Sequence, residues 1–134
     1  MTLLLLDTTC LIDAERGAAV LDEVVDDDDD VAIAAITLAE LAVGVEVATA
    51  RQRPRRQTYV DEIAATIPIL PYDEHVARQH GALLVAVRRA GRPRGAHDLI
   101  IAATAATTSR TVVSADRRAF DGLPGVTAID HRQE

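Results

Sequence analysis

Lysine and tryptophan are missing from this chain, cysteine occurs once, and only three aromatic residues are spread over 134 positions. Each shortage excludes something. Without lysine there is no lysine nucleophile, nor the lysine on which receiver-like phosphoacceptor domains rely. The single cysteine, Cys10, cannot close an internal disulfide, which fits a reducing, cytoplasmic setting. With aromatics at 2%, the core has to be built from Ala, Val, Leu and Ile, and the 49% apolar content supplies them. No apolar run reaches the ~20 residues of a membrane span, because charges interrupt every one. The N-terminal leucines have no basic region ahead of them and stop at Asp7, too early for a signal peptide.

The net charge is −7, which argues against holding nucleic acid by bulk electrostatics. Five of those negative charges lie in one run of aspartates, residues 26–30. Five adjacent like charges repel, so the run predicts an exposed turn. It has neither the spaced ligands nor the glycine of a calcium loop. All 14 basic residues are arginines. They cluster at Arg51, Arg53, Arg55 and Arg56, at Arg88, Arg89, Arg92 and Arg94, and at Arg117 and Arg118. Arginine matches phosphate with a planar fork. Solvated helix faces account for any one cluster equally well.

The length predicts one domain over residues 1–134. Leu3, Leu4, Leu5 and Leu6 are apolar without alternation, as in a strand buried on both faces. Asp7 ends that strand, and Thr8 or Thr9 is placed to cap a helix over 10–15. Asp7 is either a cap or turn residue itself or a functional acid. A helical stripe over 18–25 precedes the acidic run. A second strand over 31–36 leads into Thr37-Leu38-Ala39-Glu40, which reads as a capping box with Glu40 reaching back from the third helical position. The helix it opens runs to about residue 50, with Leu38, Leu41, Ala42, Val45 and Ala48 or Thr49 inward. Pro54 breaks it, and a second helix over 55–66 makes a helical hairpin. Residues 67–71, with two prolines, suit an edge strand. Asp73 caps a helix over 74–90, and residues 91–95 form a loop. Residues 99–106 are almost all apolar, a buried helix with Asp98 at its mouth. A strand over 111–113 ends in Ser114-Ala115-Asp116, and a last strand covers 126–129.

Strands alternating with helices imply right-handed crossovers and a parallel α/β sheet with helices on both sides. Ligands bind such sheets at the C-terminal edge. Asp7, Glu40 and Asp116 each follow a strand and Asp98 opens a buried helix, so four acids can meet in one cleft. Clustered carboxylates raise one another's pKa unless a cation compensates. Oxygen ligands suit Mg²⁺ or Mn²⁺. Such a site is equipped for hydrolysis of a phosphodiester.

The motifs LLLLDTTCLID, TLAEL, HDLIIAA and VVSAD, in this order, resemble those of PIN-domain ribonucleases, and among them the VapC-type toxins of bacterial toxin–antitoxin pairs. The resemblance spans essentially the whole chain. It implies a PIN-like nuclease domain and a Mg²⁺- or Mn²⁺-dependent endoribonuclease acting on single-stranded or loop RNA. It also implies a homodimer and a cognate VapB-like antitoxin that enters the active-site groove. Carried over by position, the metal-binding and catalytic acids are Asp7, Glu40, Asp98 and Asp116. Ser114 matches the small hydroxyl residue two before the last acid. Arg92-Pro93-Arg94-Gly95 stands where related toxins have a glycine-proline loop. Arg51, Arg53, Arg55 and Arg56 are the candidate RNA contacts.

Rival readings fare worse. A haloacid-dehalogenase-like phosphatase wants an aspartate two residues after the first, where Thr9 stands. A DNA nuclease with the same metal chemistry, and a non-catalytic PIN module binding RNA or a protein, stay as alternatives.

Overall fold

The computed structural model describes residues 1–17 and 25–131. Strands β1 (Leu3–Leu6), β2 (Asp30–Ala34), β3 (Ile69–Leu70), β4 (Thr111–Ser114) and β5 (Ala128–Asp130) form one sheet in the order β3-β2-β1-β4-β5. Every pairing is parallel. The helices are α1 (Thr8–Glu15), α2 (Ala35–Glu46), α3 (Arg53–Thr66), α4 (Glu74–Ala90) and α5 (Ala96–Thr107).

The unbroken leucine run has a double use. Leu4 and Leu6 point to one face of the sheet, where they join Ile33 and Val113 under Cys10 and Leu11 of α1, Leu41 and Val45 of α2, and Val60 and Ile63 of α3. Leu5 points to the other, with Ala32, Ala34 and Val112, under Val76 and Leu83 of α4 and the alanine-rich flank of α5. Period-two alternation of side chains makes a continuous apolar strand bury on both faces. Small residues meet on the second face, since Ala102, Ala103 and Ala105 lie with Ala32 and Ala34 and let helix and sheet approach closely.

The strand order places the site. From β1 the chain builds outward through β2 to β3, then returns to the other side of β1 as β4 and continues to β5. The direction reverses between β1 and β4, the place where open parallel sheets bind ligands. Asp7 ends β1 and donates its N–H to the Val113 carbonyl of β4 at 3.0 Å.

Several boundaries differ from expectation. β2 begins at Asp30 and ends at Ala34, so only residues 26–29 make the exposed turn, and α2 starts at Ala35. Thr37 is therefore inside the helix, not its cap, and the capping box does not form. Its hydroxyl is buried with no hydrogen-bond partner among the described residues. Glu40 falls in the second turn. α2 stops at Glu46, short of residue 50, and Ala42 and Thr49 are exposed, not inward. Thr8 and Thr9 do not cap α1; Asp7 does, accepting from the Cys10 N–H. Asp98 does not cap α5 either. That helix opens at Ala96 with Gly95 before it, and Asp98 lies in its first turn, where a carboxylate favours the positive end of the helix dipole. β5 starts two residues later than expected and ends one later. The stripe placed at 18–25 lies, but for Val25, outside the described residues.

Elsewhere the pattern held. β3 is the edge strand, flanked by Pro68 and Pro71, and the Pro68 carbonyl still accepts from Ile33 at 3.0 Å. Asp73 caps α4 at 2.9 Å, and Gly91 closes it with φ 66°, a conformation that favours glycine. No described helix is long and apolar enough to cross a membrane.

Candidate active site

Asp7 is 2% exposed, and its carboxylate is held from three directions. Oδ1 accepts the Cys10 N–H at 2.9 Å and the Thr9 hydroxyl at 2.7 Å. Oδ2 accepts the Ser114 hydroxyl at 2.5 Å. Ser114 Oγ in turn accepts the Asp116 N–H at 2.9 Å, and Thr9 Oγ1 accepts the Ala115 N–H at 2.9 Å. Both hydroxyl protons are committed to Asp7, so the 3.3 Å approach of Thr9 Oγ1 to Ser114 Oγ is proximity more than bonding. These contacts lock the end of β1 to the end of β4. With two lone pairs per oxygen, Oδ2 keeps one in reserve.

Glu40 reaches the same edge from α2. Its Oε1 accepts the Thr8 hydroxyl at 2.7 Å, and its Oε2 lies 3.4 Å from His97 Nδ1 of α5. One turn of α1 and one of α5 thus fix a side chain that the sequence had assigned to a cap. Asp98, half-buried, accepts no hydrogen bond among the described residues. Gly95 runs so close that a Cβ there would stand 2.8 Å from Asp98 Oδ2.

The electrostatics follow from this crowding. Burial raises the pKa of Asp98, and the charges of Asp7, Glu40 and Asp116 raise it further, against a lesser pull from His97. Asp7 is also raised by burial, despite the opposing hydrogen bonds from Ser114, Cys10 and Thr9 and the charge of His131. Cys10 is driven up to about 12 by burial and by Asp7 and Asp13, so it is an inert thiol inside α1.

This donor set fits a divalent metal. It consists of carboxylates alone, mutually repelling, and among the described residues no arginine is bonded to any of the four and Asp98 accepts no hydrogen bond. The four do not pull together as tightly as bound ligands. Among the described residues, only Asp26, Asp28 and Asp29 bring three carboxylate oxygens within 4.8 Å of one another. That group can also hold a metal, but it sits at the opposite sheet edge, in a turn with its own bonds. Asp29 accepts from the N–H groups of Thr2 and Asp26, which lower its pKa, and Asp28 lies 3.7 Å from the N-terminal amine.

Of the residues expected at the site, Asp7, Glu40, Asp98, Asp116 and Ser114 come together. The arginines of 51–56 divide. Arg53 donates to the carbonyls of Val45, Glu46 and Ala48, and Arg56 to that of Gly44, so both close off the C-terminal end of α2. Arg56 also lines a depression with Glu40, while Arg51 and Arg55 are exposed. Three supporting residues were overlooked as site components: Thr8, Thr9 and His97. Two hydroxyls directly after a strand-ending acid, and a histidine directly before a helix-opening one, were the available signals.

Comparison with known proteins agrees with the geometry. Residues 4–125 match the family model described as PIN domain. Ribonuclease VapC5 of Mycobacterium tuberculosis is 35% identical over 125 residues, 93% of this chain and 90% of that protein. A tRNA(fMet)-specific endonuclease VapC of Salmonella typhimurium is 32% identical over 98 residues, 73% of each chain. The crystal structure of VapBC-5, a member of the VapBC family of toxin–antitoxin systems from M. tuberculosis, aligns with TM-score 0.81 at 34% identity, over 97% of this chain and 99% of that one.

Proposed function

The chain belongs to the PIN-domain family, beside the VapC ribonucleases, and on that premise we propose that it is a metal-dependent endoribonuclease, the toxin of a VapBC-type pair. The observation that carries the reading is the convergence of four carboxylates at the β1/β4 reversal, with Asp98 charge-coupled to the other three. Asp7 and Asp98 would hold the ion, Mg²⁺ or Mn²⁺, and Asp116 would complete that site or serve a second. When bound, such an ion neutralises the scissile phosphate and makes water a stronger nucleophile at neutral pH. Glu40, its Oε1 fixed by Thr8, orients the attacking water. Ser114 and Thr9 orient the Asp7 carboxylate and oppose the rise that burial imposes on its pKa. Single-stranded or loop RNA is the substrate, and of the arginines at 51–56 the exposed Arg51 and Arg55 contribute phosphate contacts at one end, while Arg53 and Arg56 hold the end of α2.

A VapB-like antitoxin is the cognate partner, and a basic side chain from it would complement the acidic cluster. The chain acts in the cytoplasm as a homodimer or within a toxin–antitoxin hetero-oligomer. Neighbours of known structure that are VapBC complexes support the pairing. No feature of the geometry favours a non-catalytic module, since no acid of the expected set is missing.

The test is antitoxin-free protein on end-labelled structured RNA and on DNA, with Mn²⁺, Mg²⁺ or EDTA, beside Asp98→Asn. Metal-dependent cuts in RNA alone, lost in the variant, are expected. Cuts in DNA, or cuts that survive EDTA and Asp98→Asn, would sink the reading.

A further inference from the structure

The groove over the carboxylates extends past them on both sides. Asp98 and Asp116 share a cleft with Arg92, Arg94 and Arg118. Asp98 lines the next depression with Glu40 and His97. Glu40 lines a third with Arg16 and Arg56. Shared border residues make these one track along the C-terminal sheet edge, with acids in the middle and guanidinium groups at both ends.

The arginines beside Asp98 and Asp116 are not equivalent. Arg94 donates to the carbonyls of Arg118, Ala119 and Asp121, stitching the loop at 91–95 to the 3₁₀ turn Arg117–Ala119. Arg92 and Arg118 are exposed, and neither side chain has a hydrogen bond or ion pair among the described residues. Both stand on backbone that Pro93 and the Arg94 bonds hold in place. They therefore offer two forks at the acidic site without breaking an existing bond.

A polyanionic strand approaching four carboxylates in a chain of net charge −7 gains nothing from bulk attraction. A cation among the acids compensates only the phosphate it touches, so flanking phosphates need fixed positive charge close by. We propose that Arg92 and Arg118 form a phosphate-binding subsite, gripping the RNA phosphate that flanks the scissile one on the Asp98–Asp116 side. The inference rests on the ribonuclease reading and adds the direction in which the strand leaves the centre.

The experiment measures single-turnover cleavage and fluorescence anisotropy with a labelled, mixed-sequence single-stranded RNA of roughly 12 nucleotides, in Mn²⁺ and across a salt series. Arg92→Ala/Arg118→Ala is expected to weaken half-saturation about tenfold or more and to lower the salt slope by about 1.4, with little change in the saturating rate. Arg92→Lys/Arg118→Lys should keep the slope and lose only part of the affinity. Arg88→Ala/Arg89→Ala, the same charge loss in the last turn of α4, should leave both readings unchanged. Wild-type affinity and slope in the Arg92/Arg118 double alanine variant would overturn the subsite while leaving the nuclease intact. Equal weakening by the Arg88/Arg89 control would overturn it in favour of bulk charge. Wild-type protein that neither binds nor cuts RNA would fell the ribonuclease reading, and this subsite with it.

Discussion

Ser114 donates a 2.5 Å hydrogen bond to Asp7 Oδ2 across 107 positions of the chain, and its oxygen accepts the Asp116 N–H at 2.9 Å. One fully buried hydroxyl therefore couples the acid that ends β1 to the acid just past β4. Ser114→Ala removes both bonds at a place with no solvent to replace them. Mn²⁺ affinity is expected to fall about 10- to 100-fold by titration calorimetry. Because this bond lowers the pKa of Asp7, the acid limb of the pH–rate profile should move to higher pH. Unchanged affinity with an unchanged profile would show that Ser114 does not support Asp7.

Asp98→Asn should separate stability from activity. Burial, then the charges of Asp7, Glu40 and Asp116, hold its folded pKa above the ordinary 3.8. The stability linked to such a group is complete below the unfolded value and is lost as pH rises through the folded one. At neutral pH its ionised form thus burdens the metal-free fold. The variant should melt higher than wild type in EDTA at pH 7, by a margin that shrinks as pH falls toward 3.8. It should also lose the Mn²⁺-induced rise in Tm and about 10²- to 10³-fold in cleavage rate. A lower Tm in EDTA would mean that Asp98 has a supporting partner after all.

Arg110 makes a different contribution, at the opposite sheet edge. Its Nη1 donates to the carbonyls of Leu4 and Asp30, and its Nη2 lies 2.8 Å from Asp30 Oδ1. Arg110→Ala removes two hydrogen bonds to backbone carbonyls and the contact with Asp30, and should cost about 1–3 kcal/mol in urea unfolding. Arg110→Lys should recover only part, since an ammonium cannot span all three acceptors in one plane. Cleavage by the folded fraction should be unaffected.

Cys10 provides a probe of α1. Buried beside Asp7 and Asp13 and raised to about 12, its thiol should resist a thiol-reactive disulfide reagent at pH 8 until denaturant is added. Asp7→Ala removes both a raising charge and the cap of α1, so the thiol should react measurably in the absence of denaturant. Equal inertness in that variant would mean that packing alone protects it.

The elements that could be read from sequence are those whose patterns are local. The Asp73 cap and Gly91 closure bound α4 to the residue, because a cap and a left-handed turn are settled within a few neighbours. The boundary between β2 and α2 could not be read. Ala34, Ala35 and Ile36 suit either state, and packing in the sheet ended the strand two residues early. That shift changed the reason Glu40 exists. In sequence it completes a capping box with Thr37; in the fold it takes a hydroxyl from Thr8, 32 residues earlier, and a contact from His97.

By itself, then, the order of residues determined that strands and helices alternate, that β1 is buried on two faces, and that acids follow buried segments. These are consequences of hydrophobic periodicity and chain direction, which need no distant partner. Only the tertiary structure decided that β4 returns to the far side of β1. That reversal puts Ser114 against Asp7 and Asp98 within reach of three other charges, and it leaves Arg92 and Arg118 without a partner among the described residues while Arg53 and Arg56 are consumed by the end of α2. Hydrogen bonds and charge coupling depend on distance in space, and contacts between residues more than a hundred positions apart leave no period in the chain.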